Sequence, residues 1–181
     1  MEALGPYTES FYRDETSVAR ESAEIVVPWV LAELGNPLFV IDIGSGTGAW
    51  AAVAAEAGCI VRAVDMGVPE HLQQVPVIDL DISEGYPCHD WDLAICLEVA
   101  EHLPAASGPL LVDGLAQATS VLFSAATPGQ PGVNHVNCRP HDYWHLLFER
   151  HGLYPTHIGP QFGEPVASFY QRNLHLYRRM A

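Results

Sequence analysis

The chain has 181 residues, of which 49% are apolar and 17% charged, and its formal net charge is −14. This length and composition predict one globular domain over residues 1–181, and exclude an intrinsically disordered chain. The acidic start has no apolar segment like that of a secretory signal, and no uncharged apolar run reaches the roughly 18 residues that a membrane span requires. We therefore expect a soluble, cytoplasmic protein without membrane contact.

The charge is distributed unevenly along the chain, which contains no lysine. Residues 1–138 hold 19 of the 22 acidic residues and only three arginines, whereas residues 139–181 hold the other five arginines. Proteins that bind nucleic acid present a basic face to the phosphates. The charge therefore disfavours a nucleic-acid partner and favours a neutral or cationic small molecule.

The apolar pattern predicts strands that alternate with helices along the chain. A first helix is predicted over residues 17–34, kinked or divided at Pro28. Strands are predicted over residues 38–43, 59–64, 77–80, 93–97, 121–125, 153–158 and 174–177, and further helices over residues 47–57, 70–74, 110–118 and 140–151. This alternation predicts an α/β three-layer sandwich with a mostly parallel seven-stranded sheet, in which the last two strands form an antiparallel hairpin.

The strongest local motif is Asp42-Ile-Gly44-Ser-Gly46-Thr-Gly48, between the first strand and the following helix. Glycines there allow a sharp turn and a close approach of backbone to a ligand. In the dinucleotide fingerprint the third glycine follows five residues after the first, whereas here it follows after four. Asp42 would also repel a phosphate. The motif therefore favours a ligand that has no pyrophosphate and carries some positive charge.

Three further acidic residues follow predicted strands, at the edge where open α/β sheets bind ligands. Asp65 ends the second strand, and a carboxylate there can accept both hydrogen bonds of a ribose diol. Asp81 follows the third strand and can accept from an exocyclic adenine amine, beside the backbone of Ile82. Glu98 closes the fourth strand.

Taken in order, these motifs resemble those of the class I S-adenosylmethionine-dependent methyltransferases. The resemblance implies a Rossmann-like fold, S-adenosylmethionine as the methyl donor and S-adenosylhomocysteine as the product. It also implies that the glycine turn passes beneath the methionine part of the donor, that Asp65 holds the ribose and that Asp81 binds the adenine amine. Met66 and Ile82 would flank the adenine. The cofactor-binding residues implied are Asp42, Gly44, Ser45, Gly46, Gly48, Asp65, Met66, Asp81, Ile82 and Glu98.

The stretch Glu98-Val-Ala-Glu101-His102 resembles a Glu-x-x-Glu-His motif of many small-molecule methyltransferases. On a helical turn its two acids and the histidine would share one face, directed at the transferring methyl group. Glu101 and His102 are therefore candidate catalytic residues. The alternative is a solvated or internally paired first turn of a helix.

Residues 127–139 form a predicted loop that is long for a compact domain, and such loops are usually functional or disordered. Its Asn134-His135-Val-Asn137 stretch is similar to small stand-alone methyltransferases of bacteria and their viruses, which indicates the place of the loop and not a substrate. His135 is the first candidate for the base that removes the acceptor's proton, and His102 the second. A structural hydrogen bond of His135 is the alternative.

A divalent metal is a further alternative, although the cofactor expected is S-adenosylmethionine alone. Glu98, Glu101, His102 and His135 offer a mixed oxygen and nitrogen site that resembles the metal-dependent small-RNA 2′-O-methyltransferases. His135, Cys138 and His141 form another possible cluster, without the paired cysteines of structural zinc sites. The remaining histidines are expected on surfaces or at helix ends: His89, His145, His151, His157 and His175.

The predicted domain has an N-terminal helical segment, residues 1–37, and a core, residues 38–181. Tyr7, Phe11 and Tyr12 of that segment would cover the cofactor, or merely the edge of the core. The resemblance implies methyl transfer to oxygen or nitrogen of a small-molecule acceptor. The alternatives are a nucleic-acid-modifying methyltransferase, a cofactor-binding accessory subunit without catalysis, and a nicotinamide oxidoreductase.

Overall fold

The structure, a computed structural model, describes residues 9–83, 86 and 88–180. In these ranges the chain forms seven strands, five helices and two 3₁₀ turns. The helices are α1 (Glu9–Glu33), α2 (Ala49–Glu56), α3 (Ser107–Leu115), α4 (His141–Glu149) and α5 (Ser168–Asn173), and the 3₁₀ turns are Glu70–Leu72 and Gly159–Gln161. The strands are β1 (Phe39–Ile43), β2 (Ile60–Asp65), β3 (Val77–Asp79), β4 (Leu93–Leu97), β5 (Ser120–Ser124), β6 (Leu153–His157) and β7 (His175–Arg179).

All seven strands belong to one sheet with the order β3-β2-β1-β4-β5-β7-β6. The first five strands are parallel, and β7 inserts antiparallel between β5 and β6. The predicted fold class is confirmed, including the reversed final hairpin. The order changes direction between β1 and β4, and in such sheets ligands bind beyond the carboxyl ends of the strands at that point.

Two apolar layers cover the sheet, because alternate residues of each strand point to opposite faces. On β4, Leu93, Ile95 and Leu97 pack with α1, α2 and α5, whereas Ala94 and Cys96 pack with α3 and α4. The central strands β4 and β5 are buried along their whole length, as expected for strands covered on both faces.

The first helix is longer than predicted. It begins at Glu9 and continues through Pro28 to Glu33, so the proline does not divide it. Proline removes one backbone donor, but Pro28 lies on the exposed side while Val26, Val27 and Val30 are buried against the sheet. This packing holds the helix together across the missing hydrogen bond. In the described ranges, no helix combines the length and the apolar character needed to cross a membrane.

Two other elements differ from the prediction. Helix α3 begins three residues earlier than the predicted helix of residues 110–118, and the sequence pattern does not predict α5. Helix α5 has only six residues, too few for an apolar period, and it depends on tertiary packing through buried Tyr170 and Asn173. The backbone of this helix packs closely on Gly159, and a Cβ added at Gly159 would overlap the carbonyl oxygen of Gln171.

This close approach gives a stability prediction for Gly159→Ala. The added methyl group meets backbone, which cannot rotate away, so we expect the free energy of unfolding to fall by ~1–3 kcal/mol. The matched control is Gly163→Ala in the same connection, where a Cβ would meet no atom within 4 Å. Urea unfolding of both variants measures the effect, and equal stabilities would contradict the packing described for α5.

Candidate functional site

The turn between β1 and α2 contains three glycines in the left-handed conformation. Gly44, Gly46 and Gly48 have φ values of 71°, 53° and 81°. A Cβ at Gly44 would overlap the side chain of Val99, and one at Gly48 would overlap Val75, whereas a Cβ at Gly46 would meet no atom within 4 Å. Packing therefore explains the first and third glycines. Packing does not explain Gly46, because the space that its side chain would occupy is open.

That open space is a cavity of about 550 Å³ at the carboxyl ends of β1, β2 and β4. Helix α1, the glycine turn, residues 130–135 and α5 complete its walls. No arginine or lysine among the described residues lines it, so its electrostatics favour a neutral or cationic ligand over an anion. The acidic residues that line it are Glu15, Asp42, Asp65, Asp81 and Glu98.

Asp65 connects the end of β2 to the glycine turn. Its carboxylate accepts hydrogen bonds from the backbone N–H of Gly46 and of Met66, both at 2.6 Å. Burial raises the pKa of Asp65, and the two hydrogen bonds oppose this shift. The two residues predicted to flank the adenine both line the cavity: the side chain of Met66 is exposed, and that of Ile82 is buried.

Asp81 lies at the same rim but in water. Its carboxylate accepts the backbone N–H of Ser83 at 2.8 Å, and this hydrogen bond lowers the pKa of Asp81. Asp79, the neighbouring acid on β3, accepts from the backbone N–H of Gly67 and does not line the cavity. Of these two acids, Asp81 is therefore the one that faces the cavity.

Asp42 is the most buried acid of the cavity, with 2% of its surface exposed. It accepts a hydrogen bond of 3.2 Å from the backbone N–H of Ala51, in the first turn of α2. Burial, with a smaller contribution from the charge of Asp65, raises the pKa of Asp42 to about 7. Without a ligand, a substantial fraction of Asp42 is thus protonated near neutral pH.

The helical turn predicted for residues 98–102 is wrong. Glu98 has a φ of 52°, residues 98–103 form an irregular bend, and α3 starts only at Ser107. The left-handed residue turns the chain immediately after β4, so the spacing of a regular helix does not apply. Glu101 is consequently buried below the cavity, whereas Glu98 and His102 line it.

Two amides that sequence reasoning missed hold Glu98 in place. Gln130 donates to Oε2 of Glu98 at 2.7 Å, and Asn173 donates to Oε1 at 3.1 Å. The same side-chain nitrogen of Asn173 also donates to Oε1 of Gln130 at 2.9 Å, so that the three side chains form a closed network. Gln130 lies in the long loop that the sequence predicts to be functional, but nothing in the sequence marks Asn173 at the end of α5.

Glu101 has no exposed surface, and only one of its two carboxylate oxygens accepts a hydrogen bond. Its Oε1 accepts the backbone N–H of Ala126, and its carbonyl accepts those of Val136 and Asn137, so this residue anchors the loop of residues 127–139. Its Oε2 is buried and accepts no hydrogen bond from the described chain, and Glu98 is the side chain to which a protonated Glu101 would donate. Burial, and then the charge of Glu98, raise the pKa of Glu101 to about 8.

The two histidines predicted to be catalytic lie edge to face, with ring centroids 5.0 Å apart. His135 Nδ1 is 3.2 Å from the carbonyl oxygen of Gln130 and 3.7 Å from Sγ of Cys138. Burial, and then the charge of His135, lower the pKa of His102. Ligand atoms of Glu101, His102 and His135 all lie within 4.8 Å of one another, and this is the only such group among the described residues.

The structure assembles only part of the two predicted metal clusters. Glu98 is outside the three-residue group because Gln130 and Asn173 hold its carboxylate. Among the described residues, His141 is not grouped with His135 and Cys138 either: its Nε2 lies 3.4 Å from the side-chain oxygen of Asn173, and it does not line the cavity. The expected surface position is wrong for His175, which is 4% exposed.

The first turns of α1 extend along the cavity. Tyr12, Glu15 and Thr16 line it, and the hydroxyl of Thr16 lies 2.7 Å from that of Thr47 in the glycine turn. Tyr7 and the side chain of Phe11 lie outside the described residues, so the predicted aromatic cover is seen at Tyr12 alone. In the cavity wall, Trp50 packs edge-on against Tyr170 with centroids 5.1 Å apart.

Comparison with known proteins gives matches in structure only. No protein-family model matches the chain, and no curated protein sequence is significantly similar to it. Many solved structures share its fold.

One is the sugar N-methyltransferase from Streptoalloteichus, with a TM-score of 0.73 and 16% identity over 100% of this chain and 96% of the other. Another is magnesium protoporphyrin IX methyltransferase from Synechocystis with bound S-adenosylhomocysteine, with a TM-score of 0.63 and 21% identity over 89% and 82%. A third is 1,6-didemethyltoxoflavin-N1-methyltransferase from Burkholderia thailandensis, with a TM-score of 0.64 and 20% identity over 95% and 85%. The sheet order, the reversed hairpin and these matches together show that the chain has the fold of the class I S-adenosylmethionine-dependent methyltransferases.

Proposed function

We propose that the protein transfers a methyl group from S-adenosylmethionine to an oxygen or nitrogen atom of a small-molecule acceptor. The observation that carries this proposal is the cavity itself, with open Gly46 at its base and Asp65 hydrogen-bonded beside it at the carboxyl edge of the sheet. Two of the similar structures contain S-adenosylhomocysteine, the product that this reaction would release.

The cavity residues suit the parts of the donor. Each oxygen of the Asp65 carboxylate accepts one backbone N–H and keeps a lone pair that a ribose hydroxyl can use. Asp42 and the backbone at Gly46 would lie beside the positively charged methionine part. Met66 and Ile82 would flank the adenine, and Asp81 has a second carboxylate oxygen for its amine.

The chemistry demanded of the protein is mainly positioning. When bound, S-adenosylmethionine supplies a methyl group on a sulfonium, which is already a good leaving group. Holding the acceptor in line with that methyl can contribute up to ~7–11 kcal/mol. The loop of residues 130–135 and Tyr170 form the cavity wall against which an acceptor would be held.

We assign His135 as the base that removes the acceptor's proton. Its Nδ1 is close enough to the carbonyl of Gln130 to donate to it, and this tautomer leaves the lone pair on Nε2. A base of this kind contributes roughly 10²–10⁴-fold to the rate. His102, whose pKa is lowered by burial, is the second candidate for the base.

The acceptor class follows from the charge of the cavity. Because no arginine or lysine of the described chain lines it, an acceptor whose own charge comes from a phosphate or carboxylate group would be bound poorly. The same acidity disfavours a nucleic-acid acceptor. Of the similar structures, one is named for a sugar and one for 1,6-didemethyltoxoflavin, both small acceptors methylated at nitrogen.

A second candidate is metal-assisted methyl transfer, favoured by the buried Oε2 of Glu101, which accepts no hydrogen bond in the described chain. This atom and the two histidines beside it offer one carboxylate and two imidazoles, a set that suits Mn²⁺ or Zn²⁺. A bound cation would polarise an acceptor hydroxyl as a Lewis acid. Loss of turnover in EDTA and recovery with Mn²⁺ would assign these residues to the metal instead of to proton removal.

Two alternatives lack such support. An accessory subunit would bind S-adenosylmethionine but release no S-adenosylhomocysteine when supplied with a low-molecular-mass cell extract. A nicotinamide oxidoreductase would bind NADH, which fluorescence measures directly, although five acidic side chains line the cavity where a pyrophosphate would have to lie.

Gly46→Val tests the place of the donor. A Cβ at Gly46 would meet no protein atom within 4 Å, and Gly46 lines the cavity, so we expect the added side chain to occupy space of the donor and S-adenosylmethionine affinity to fall at least tenfold in calorimetry. Gly35→Val is the matched control, because Gly35 has a similar positive φ of 73° and open surroundings, but lies at the end of α1 away from the cavity. Equal affinity in the two variants would place the donor elsewhere.

The pKa of Asp42 predicts a pH-dependent affinity. A cationic donor binds better to the carboxylate form, so the affinity should rise several-fold as the pH increases from 5.5 to about 7, where Asp42 loses its proton. Asp42→Asn should remove this rise. The pKa of Asp42 in the folded protein is above the ordinary value of 3.8, so the folded state binds this proton more tightly than the unfolded state. Loss of the proton therefore lowers the free energy of unfolding as the pH rises from about 4 to about 7.

The stability of the wild type relative to Asp42→Asn should therefore decrease across that range. Thermal unfolding at each pH measures this difference. A constant difference in stability, together with parallel affinity profiles, would contradict the assignment of Asp42.

His135→Ala tests the proposed base. The release of S-adenosylhomocysteine in the presence of a low-molecular-mass extract should fall roughly 10²–10⁴-fold, with donor affinity unchanged. Added imidazole should restore part of the activity. The control is His151→Ala, which removes an exposed histidine paired with Asp113 outside the cavity. Undiminished turnover by His135→Ala would transfer the role to His102.

A further inference from the structure

Asn173, at the end of α5, is bonded to the cavity wall without lining the cavity itself. Only 1% of its surface is exposed. Its side-chain nitrogen donates to Oε1 of Glu98 at 3.1 Å and to Oε1 of Gln130 at 2.9 Å, and both of these residues do line the cavity. We therefore expect Asn173 to affect a bound molecule through these two side chains.

Two histidines fix the orientation of the Asn173 amide. The side-chain oxygen of Asn173 lies 3.4 Å from Nε2 of His141, and its backbone carbonyl oxygen lies 2.8 Å from Nδ1 of His175. An imidazole N–H that donates to the side-chain oxygen leaves the NH₂ group of the amide directed at Glu98 and Gln130. Both hydrogens of this NH₂ group then have an acceptor, which a side chain without an amide donor could not provide.

Gln130 extends this restraint to His135. Its Nε2 donates to Oε2 of Glu98 at 2.7 Å, and its Oε1 accepts from Asn173. Its backbone N–H donates to the carbonyl of Thr127 at 3.0 Å, and its backbone carbonyl oxygen lies 3.2 Å from Nδ1 of His135. Because both the side chain and the backbone of Gln130 are held, the carbonyl that meets the imidazole has a fixed position.

The imidazole of His135 is closely surrounded beside that carbonyl. A Cβ at Gly132 would overlap ring atoms of His135, so the backbone of Gly132 lies directly against the ring. The ring of His102 packs edge to face on it, with centroids 5.0 Å apart. The carbonyl of Gln130 therefore favours the tautomer with the proton on Nδ1, which leaves the lone pair on Nε2.

We propose that Asn173 is a positioning residue for His135 and acts through Gln130. This role rests on the proposed function, in which His135 removes the acceptor's proton. A base works only with its lone pair within hydrogen-bond reach of that proton, so a displaced ring or the other tautomer loses most of the effect. A displacement of about 1 Å can lower the rate on the order of 10²-fold.

Asn173→Asp keeps the size of the side chain and removes its donor. At saturating donor, we expect the release of S-adenosylhomocysteine with a low-molecular-mass extract to fall at least tenfold. In the His135→Ala background the same substitution should cause no further loss, because a residue that acts only through the base then has nothing to position. Equal losses in the two backgrounds, or unchanged turnover of the single variant, would overturn the proposal.

The matched control is Gln171→Ala. It removes another amide of α5, which donates to the carbonyl of Val166 and does not line the cavity, so turnover should remain that of the wild type. Gln130→Met tests the same connection if Asn173→Asp does not fold, because Gln130 is only half-buried and methionine has a similar length without an amide. Its turnover should also fall, and only in the presence of His135. Wild-type turnover of Gln130→Met would contradict the connection.

The tautomer of His135 gives a readout that needs no acceptor. ¹⁵N NMR distinguishes a protonated from an unprotonated ring nitrogen, and comparison with His135→Ala assigns the signals. Above neutral pH the wild type should have the proton on Nδ1, Asn173→Asp should populate the other tautomer, and Gln171→Ala should not. The same tautomer in Asn173→Asp as in the wild type would overturn the proposal. If this shift occurs but the wild type releases no S-adenosylhomocysteine, the proposed function fails while the positioning of His135 by Asn173 is supported.

Discussion

The hydrogen bond from the backbone of Gly46 to the carboxylate of Asp65 holds the candidate site together. It is 2.6 Å long and joins residues 19 positions apart, on the turn after β1 and at the end of β2. A backbone N–H in this half-buried turn would otherwise lack a partner, which costs free energy comparable to a lost hydrogen bond. The same contact orients the Asp65 carboxylate, so the glycine turn and the acid that follows it form one structural unit.

The cavity also depends on carboxylates that no arginine among the described residues neutralises. Asp42 and Glu101 respond to burial with raised pKa values, whereas Glu98 is satisfied by the amides of Gln130 and Asn173. Neutral donors thus replace the arginine or lysine that buried acids often have. This arrangement leaves the negative potential of the cavity available to a positively charged ligand, and it ties the loop after β5 to α5.

Much of the fold could be predicted, because the apolar strands and the glycines that end them are local features. The residues Gly44, Gly46 and Asp65 could likewise be assigned to one edge of the sheet, since each directly follows or ends a predicted parallel strand. What could not be predicted depends on distant contacts. Asn173 meets Glu98 across 75 residues, and the left-handed conformation of Glu98 replaces the helix that its sequence favours. His157 and His175 likewise come together only through the pairing of β6 with β7.

The two outermost strands differ from the rest of the sheet in a way that affects the behaviour of the protein in concentrated solution. Strand β3 has only three residues, and β6 contains Pro155, which offers no N–H. Short edges and edge prolines are features by which natural sheets prevent a strand of another molecule from adding to them. Neither β3 nor β6 is therefore suited to pair with a strand of another molecule. The absence of such pairing protects the chain against amyloid-like growth.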